Sequence, residues 1–240
     1  MLVRSLGRAV GAVGVVGRRG LPRGYRGLMG LMSEQPLLIS SLIDHAARWH
    51  PDGEIVSRRI EAPDGELHRY TYVEARGRMM QLANALVRLG VAQGDRIATL
   101  AFSSFRHYEL YFAVPGIGAV CHTVNPRLHP EQLAFILNDA EDTSVFVDLP
   151  LVPILLKALE AHACPHLQRV VVLTTPMRMP PAETLEALAT AHAAQRREVL
   201  CYETMLQVES SEGTWRTDLD ERTASSMCYT SGTTVMSCHV

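Results

Sequence analysis

The sequence predicts an α/β fold built on a largely parallel sheet. Two observations predict it. Short apolar runs alternate with segments of helical periodicity through residues 71–194. A 240-residue chain with 47% hydrophobic and 20% charged residues also has enough apolar side chain for a sizeable core. Length alone admits one or two domains.

The elements follow in order. Thr71 and Glu74 have the spacing of a capping box, in which the Thr71 oxygen accepts the N3 amide and Glu74 reaches back to the cap amide. Met79, Leu82, Ala83, Leu86 and Leu89 then recur at helical spacing, and Gly90 can take the left-handed conformation that ends the helix. Gln93-Gly94-Asp95 is a turn, residues 97–102 are a buried strand, and the aromatic-rich residues 105–114 are a helix broken by Pro115-Gly116. Residues 119–124 form the next strand. Asn125-Pro126 turns the chain, and Pro130-Glu131 opens a helix through Leu133, Phe135, Ile136 and Leu137. Residues 145–147 are strand, 151–162 helix, 170–173 strand and 183–194 helix. Gly116-Ile117-Gly118 is not a dinucleotide fingerprint, because it follows a helix rather than a strand and lacks the third glycine.

Composition excludes several function classes. Lys+Arg 23 against Asp+Glu 25 gives a net charge of −2, which supplies no positive field for nucleic acid or anionic lipid. The cysteines at 121, 164, 201, 228 and 238 lack the paired spacings of a disulfide scaffold or zinc site and suit a reducing compartment. Cys228, Cys238 and His239 lie close in sequence, but tetrahedral zinc needs a fourth ligand, so no metal site is assigned. The ten histidines are expected mostly at the surface or as satisfied polar groups. Residues 1–32 form a basic extension with arginines at 4, 8, 18, 19, 23 and 26 and no acidic residue. Two readings stand: a mitochondrial presequence, or translation starting at Met29 or Met32, with a cytoplasmic protein the expectation in the second case. Its apolar run, residues 9–17, is too short to span a bilayer, and no integral membrane segment is expected.

The chemistry concentrates in residues 227–234, where a short apolar segment runs into Thr230, Ser231, Gly232, Thr233 and Thr234. Gly232 can adopt positive φ without steric cost, so backbone N–H groups can converge on an anion while the hydroxyls add donors. A Walker loop is excluded by the absence of Gly-Lys-Ser/Thr. Out of context such a run fits a turn or a chain terminus equally well.

Context decides, because Tyr229-Thr230-Ser231-Gly232-Thr233-Thr234 resembles the signature loop of the adenylate-forming synthetases, which include acyl-CoA synthetases, luciferases and the adenylation domains of peptide synthetases. Gly94-Asp95-Arg96-Ile97-Ala98, Asn125-Pro126-Arg127-Leu128, Glu131-Gln132-Leu133 and Ile136-Leu137-Asn138-Asp139-Ala140 are similar to matching stretches of fatty acyl-CoA synthetases, medium-chain ligases nearest. In family order the resemblance covers roughly residues 36–234, a span that chance motif matches do not reach.

The resemblance implies that residues 33–240 are the N-terminal portion of the large domain of that fold, incomplete, with mostly parallel sheets and flanking helices. It implies a fatty acid–CoA ligase that joins a carboxylate to AMP and then to coenzyme A, using ATP with Mg2+. Thr230, Ser231, Gly232, Thr233 and Thr234 would grip the β- and γ-phosphates. The family loop continues Gly-x-Pro-Lys-Gly, whereas Val235-Met236-Ser237-Cys238-His239-Val240 follows here. Without that lysine, weak or absent ATP binding is expected, since charge-assisted contacts are about twice as strong as neutral ones. The acyl pocket and the small C-terminal domain are expected beyond Val240, so the chain alone is expected to be inactive and poorly soluble. The alternatives are a non-catalytic module that binds a synthetase chain, as in a homo-oligomer or hetero-dimer, and one half of a split enzyme.

Overall fold

A computed structural model describes residues 35–62, 65–192 and 196–230. The chain divides into two units, residues 1–35 and 36–240, and every described element lies in the second. The basic extension 1–32 and most of the phosphate run, Ser231 to Thr234, lie outside the described residues.

Helix α1 (Ser40–Trp49) precedes an antiparallel hairpin of β1 (Glu54–Arg58) and β2 (Leu67–Thr71), paired from Glu54 with Thr71 to Arg58 with Leu67. Then come α2 (Tyr72–Arg88), β3 (Arg96–Leu100), α3 (Phe105–Gly116), β4 (Val120–Thr123), α4 (Pro130–Asp139) and β5 (Ser144–Asp148). The chain continues through α5 (Val152–Ala161), β6 (Arg169–Leu173), α6 (Ala182–Thr190), β7 (Glu198–Cys201), α7 (Tyr202–Gln207) and β8 (Ser226–Cys228).

Strands β3 to β8 form one six-stranded sheet in the order β7-β6-β5-β3-β4-β8, parallel throughout. Strands buried on both faces need no polar alternation, which is why β5 reads Ser-Val-Phe-Val-Asp with every position buried. One face packs Ile97, Cys121, Phe146 and Val171 under α2, α3 and α7. The other packs Ala98, Leu100, Val145, Val147, Val170 and Val172 under α4, α5 and α6. Because α3 crosses on the first face and α4 on the second, strand order reverses between β3 and β5.

Local chemistry sets the helix ends. Thr71 accepts the Glu74 amide at 3.2 Å while the Glu74 carboxylate accepts the Thr71 amide at 2.7 Å, the capping box that the spacing predicts. Gly90, at φ +80°, closes α2 with Val91 N–H donating to Leu86 O and Gly90 N–H to Val87 O, a Schellman motif. Helix α3 differs from expectation by running past Pro115 to Gly116. Proline in a last turn removes only one helical donor, and the stop falls instead on Gly118 at φ +85°, whose N–H donates to Pro115 O while Ala119 N–H donates to Val114 O. Gly116 is glycine for a separate reason: a Cβ there would stand 2.5 Å from the Trp215 ring.

Between α2, α3, α7 and the hairpin lies a buried ionic cluster. Arg78 donates to Glu109 at 2.6 Å and to Glu203 at 3.0 Å, and Arg106 donates to Glu203 and to Glu61, each at 2.8 Å. Tyr202 donates to Glu109, which is fully buried. Burial pushes the Glu109 carboxyl up, against the pull of Arg78 and of the Tyr202 hydroxyl.

Candidate functional site

In open parallel sheets, ligands collect outside the carboxyl ends of the strands. Among the described residues, polar side chains gather there beside β3 and β5 and again beside β4 and β8.

The first is the switch point between β3 and β5. Asp148, the last residue of β5, accepts the Phe102 amide at 2.7 Å and is 2% exposed. Burial pushes its carboxyl up to about 6, with the amide bond acting the other way. Phe102 O faces His107 Nδ1 at 3.1 Å, so that nitrogen carries the proton and Nε2 accepts the Thr99 hydroxyl at 3.0 Å. Burial holds the His107 imidazole below its ordinary value, hence neutral. Outside, Ser57, Ser103, Ser104, Phe105 and Tyr108 help line an open cleft of about 320 Å³. Ser57 Oγ is taken up by the Phe105 amide and Ser104 Oγ by the His107 amide, so these groups hold the loop.

The second is the edge where β8 lies beside β4, with His122 opposite Met227 and Thr123 opposite Cys228. Beyond Cys228, Tyr229 still makes a single β-bridge, and the chain leaves the sheet at Thr230. Thr230 is exposed. It is the one predicted phosphate-binding residue within the described chain.

Sequence reasoning passed over the residues that Tyr229 meets. Tyr229 donates its hydroxyl to Asp139 Oδ2 at 2.6 Å, and burial followed by that bond pushes the phenol well above its ordinary range, so it stays a donor. The Tyr229 ring lies 5.3 Å from the His122 ring, centroid to centroid. His122 Nδ1 lies 2.8 Å from Asp142 Oδ2, with both side chains fully buried. His122 is satisfied at Nδ1 only: among the described residues its Nε2 is buried without a partner, as is Asp142 Oδ1. Burial pushes the Asp142 carboxyl up, opposed by the bond to His122.

The thiols beside this edge are inert or unpaired. Cys121 is buried and its thiol is pushed up to about 12, first by burial and then by Asp142. Cys121, Cys164, Cys201 and Cys228 are all free. Among the described residues no three His, Cys, Asp or Glu side chains converge as metal ligands, and no helix is long and apolar enough to cross a membrane. Cys238 and His239 lie outside the described residues.

Comparison with known proteins gives a consistent answer. Residues 43–236 match the family described as AMP-binding enzyme. The chain is 40% identical over 209 residues to a 3-methylmercaptopropionyl-CoA ligase of Ruegeria lacuscaerulensis, and 38% identical over 210 residues to a medium-chain-fatty-acid–CoA ligase of Ectopseudomonas oleovorans. Each match takes in 86% of this chain and 35% of the relative, so the chain spans about a third of the length of these curated relatives. The crystal structure of a long-chain-fatty-acid–CoA ligase from Archaeoglobus fulgidus superposes with a TM-score of 0.64 at 20% identity, over 84% of this chain and 36% of that one. At that identity the likeness concerns the fold.

Proposed function

Because this chain belongs to the AMP-binding enzyme family, we propose that it supplies the amino-terminal part of an ATP-dependent acid–CoA ligase whose carboxylate is a fatty acid. In the proposed reaction the carboxylate oxygen attacks the α-phosphorus of ATP and pyrophosphate leaves. The thiol of coenzyme A then displaces AMP from the acyl-adenylate to give the thioester. The observation that carries the reading is the hydroxyl- and glycine-rich run that begins at Thr230, at the carboxyl end of the parallel sheet.

In this reading Thr230, Ser231, Gly232, Thr233 and Thr234 hold the β- and γ-phosphates, their donors facing the charge that develops on the departing pyrophosphate. One such donor is worth about 3 kcal/mol in comparable sites. These groups suit phosphate oxygens, being neutral donors without a carboxylate among them. Mg2+ would arrive with ATP, since this ion keeps several waters and binds through substrate phosphates with few protein ligands. A cytoplasmic location goes with this reading, or a mitochondrial one if residues 1–32 act as a presequence.

Titration of the 240-residue chain with Mg-ATP tests the phosphate assignment. A weak affinity is expected, weakened further by Thr230→Val and by Thr233→Val. An affinity that neither substitution changes would remove the run from the nucleotide site. Octanoate-dependent exchange of pyrophosphate into ATP, compared with 3-methylmercaptopropionate, tests the carboxylate class. A second reading, that the chain pairs with another synthetase chain, is favoured by the place of β8 at the edge of the sheet among the described residues and by the share of its relatives that the chain spans. Co-purification with a synthetase chain is the expected outcome there.

A further inference from the structure

The turn after α4 breaks three local preferences within four residues. Asp139 places a carboxylate in the last turn of a helix, where the dipole disfavours negative charge. Glu141 sits at φ +52°, the left-handed position that a Schellman motif usually gives to glycine, with Asp142 N–H donating to Leu137 O and Glu141 N–H to Asn138 O. Asp142 buries a carboxyl with one oxygen unpaired among the described residues. Unfavourable local choices that cluster in this way mark functional sites more often than random error does.

All three serve one place. The turn delivers Asp139 to the Tyr229 hydroxyl and Asp142 to His122, whose ring underlies Tyr229. Arg96 fixes the turn itself, donating to Ala140 O at 2.6 Å and to the Glu141 carboxylate at 2.9 Å. Asn138 ties the same helix end to Ala163 O at 2.7 Å.

We propose that Asp139 and Tyr229 form a latch that positions Thr230, with the His122–Asp142 pair as its floor. They are positioning residues for nucleotide binding, not groups that touch the reacting atoms. Tyr229 is the last residue before Thr230, so the direction of its side chain sets the direction in which the backbone leaves the sheet. The inference rests on the phosphate-loop reading for its function, while the latch itself stands on the geometry.

The test uses the full chain carrying Tyr229→Phe, Asp139→Ala or Asp139→Asn. Asn keeps an acceptor for the phenol and loses the charge, so it should rescue. Amide hydrogen exchange resolved by NMR is expected to quicken at Thr230 by about three- to tenfold with Tyr229→Phe and Asp139→Ala, the loss of one hydrogen bond, while Ala98 and Val145 keep their rates and Asp139→Asn matches the parent. Equal rates at Thr230 in all four proteins, or an Asn variant as fast as the Ala variant, would overturn the latch. Mg-ATP affinity is expected to fall by a similar factor with Tyr229→Phe, and Tyr229→Phe with Thr230→Val should cost less than the sum of the two, since both act through one contact. Additive losses would overturn action through Thr230. An affinity indifferent to Thr230→Val defeats the phosphate reading instead, and the exchange rates then judge the latch alone.

Discussion

Asp148 and Glu141 each hold a conformation or protonation state that the unfolded chain does not favour. The Asp148 carboxyl is raised from an ordinary value near 3.8 to about 6, so the folded state binds its proton more tightly than the unfolded state does. Its contribution therefore grows as pH falls from 6 towards 4 and is a penalty above 6. Asp148→Asn keeps an acceptor for the Phe102 amide and removes the penalty. Urea unfolding should place the variant about 1–3 kcal/mol above the parent at pH 7.5 and close to it at pH 4, given 1.36 kcal/mol per unit. The same gap at both values would show that the carboxyl is not the cause. Glu141→Gly relieves a left-handed non-glycine residue, worth about 1 kcal/mol, and loses an exposed ion pair with Arg96 worth less. A melting temperature raised by a few degrees is expected.

Elements governed by their own neighbours were legible in the sequence. Thr71 and Glu74 are three residues apart, and Gly90 follows the last periodic leucine, so both ends of α2 could be placed from spacing alone. Thr71→Ala should cost about 1 kcal/mol in chemical denaturation, because it leaves the Glu74 amide without its acceptor. Little or no loss would mean that α2 is held by its buried face alone. Elements governed by distant partners escaped. Helix α1 has no side-chain cap, its N-cap position being Ile39, so no start signal precedes it. Strands β1, Glu-Ile-Val-Ser-Arg, and β2, Leu-His-Arg-Tyr-Thr, show no strict apolar–polar alternation and take their register from each other. Strand β7 has only four residues and β8 three, too short for a period to register. The hydroxyl run was readable from six consecutive residues. Asp139 and His122 were not, because their meeting with Tyr229 depends on β8 lying beside β4, across 90 residues in the case of Asp139.

At the scale of the whole molecule, two arrangements join distant parts of the sequence. The ionic cluster binds the hairpin, α2, α3 and α7 through charges that are each compensated only when all are present. Arg78→Ala leaves Glu109 buried with its main counter-charge gone, and a loss of about 3–5 kcal/mol is expected in equilibrium unfolding. A loss below about 1 kcal/mol would mean that Glu109 takes up a proton and needs no partner. The other arrangement is the register of β4 with β8, Thr123 beside Cys228. On the ribosome, β3, β4 and β5 emerge in succession and can associate early, but the outer edge of β4 must wait for residues made about a hundred positions later. At roughly 5–20 residues per second that interval is on the order of 5–20 s, during which bare backbone donors and acceptors of β4 face solvent. A nascent chain of this topology is thus a natural client for chaperones that shield strand edges, and its yield in cells depends on how quickly β8 arrives.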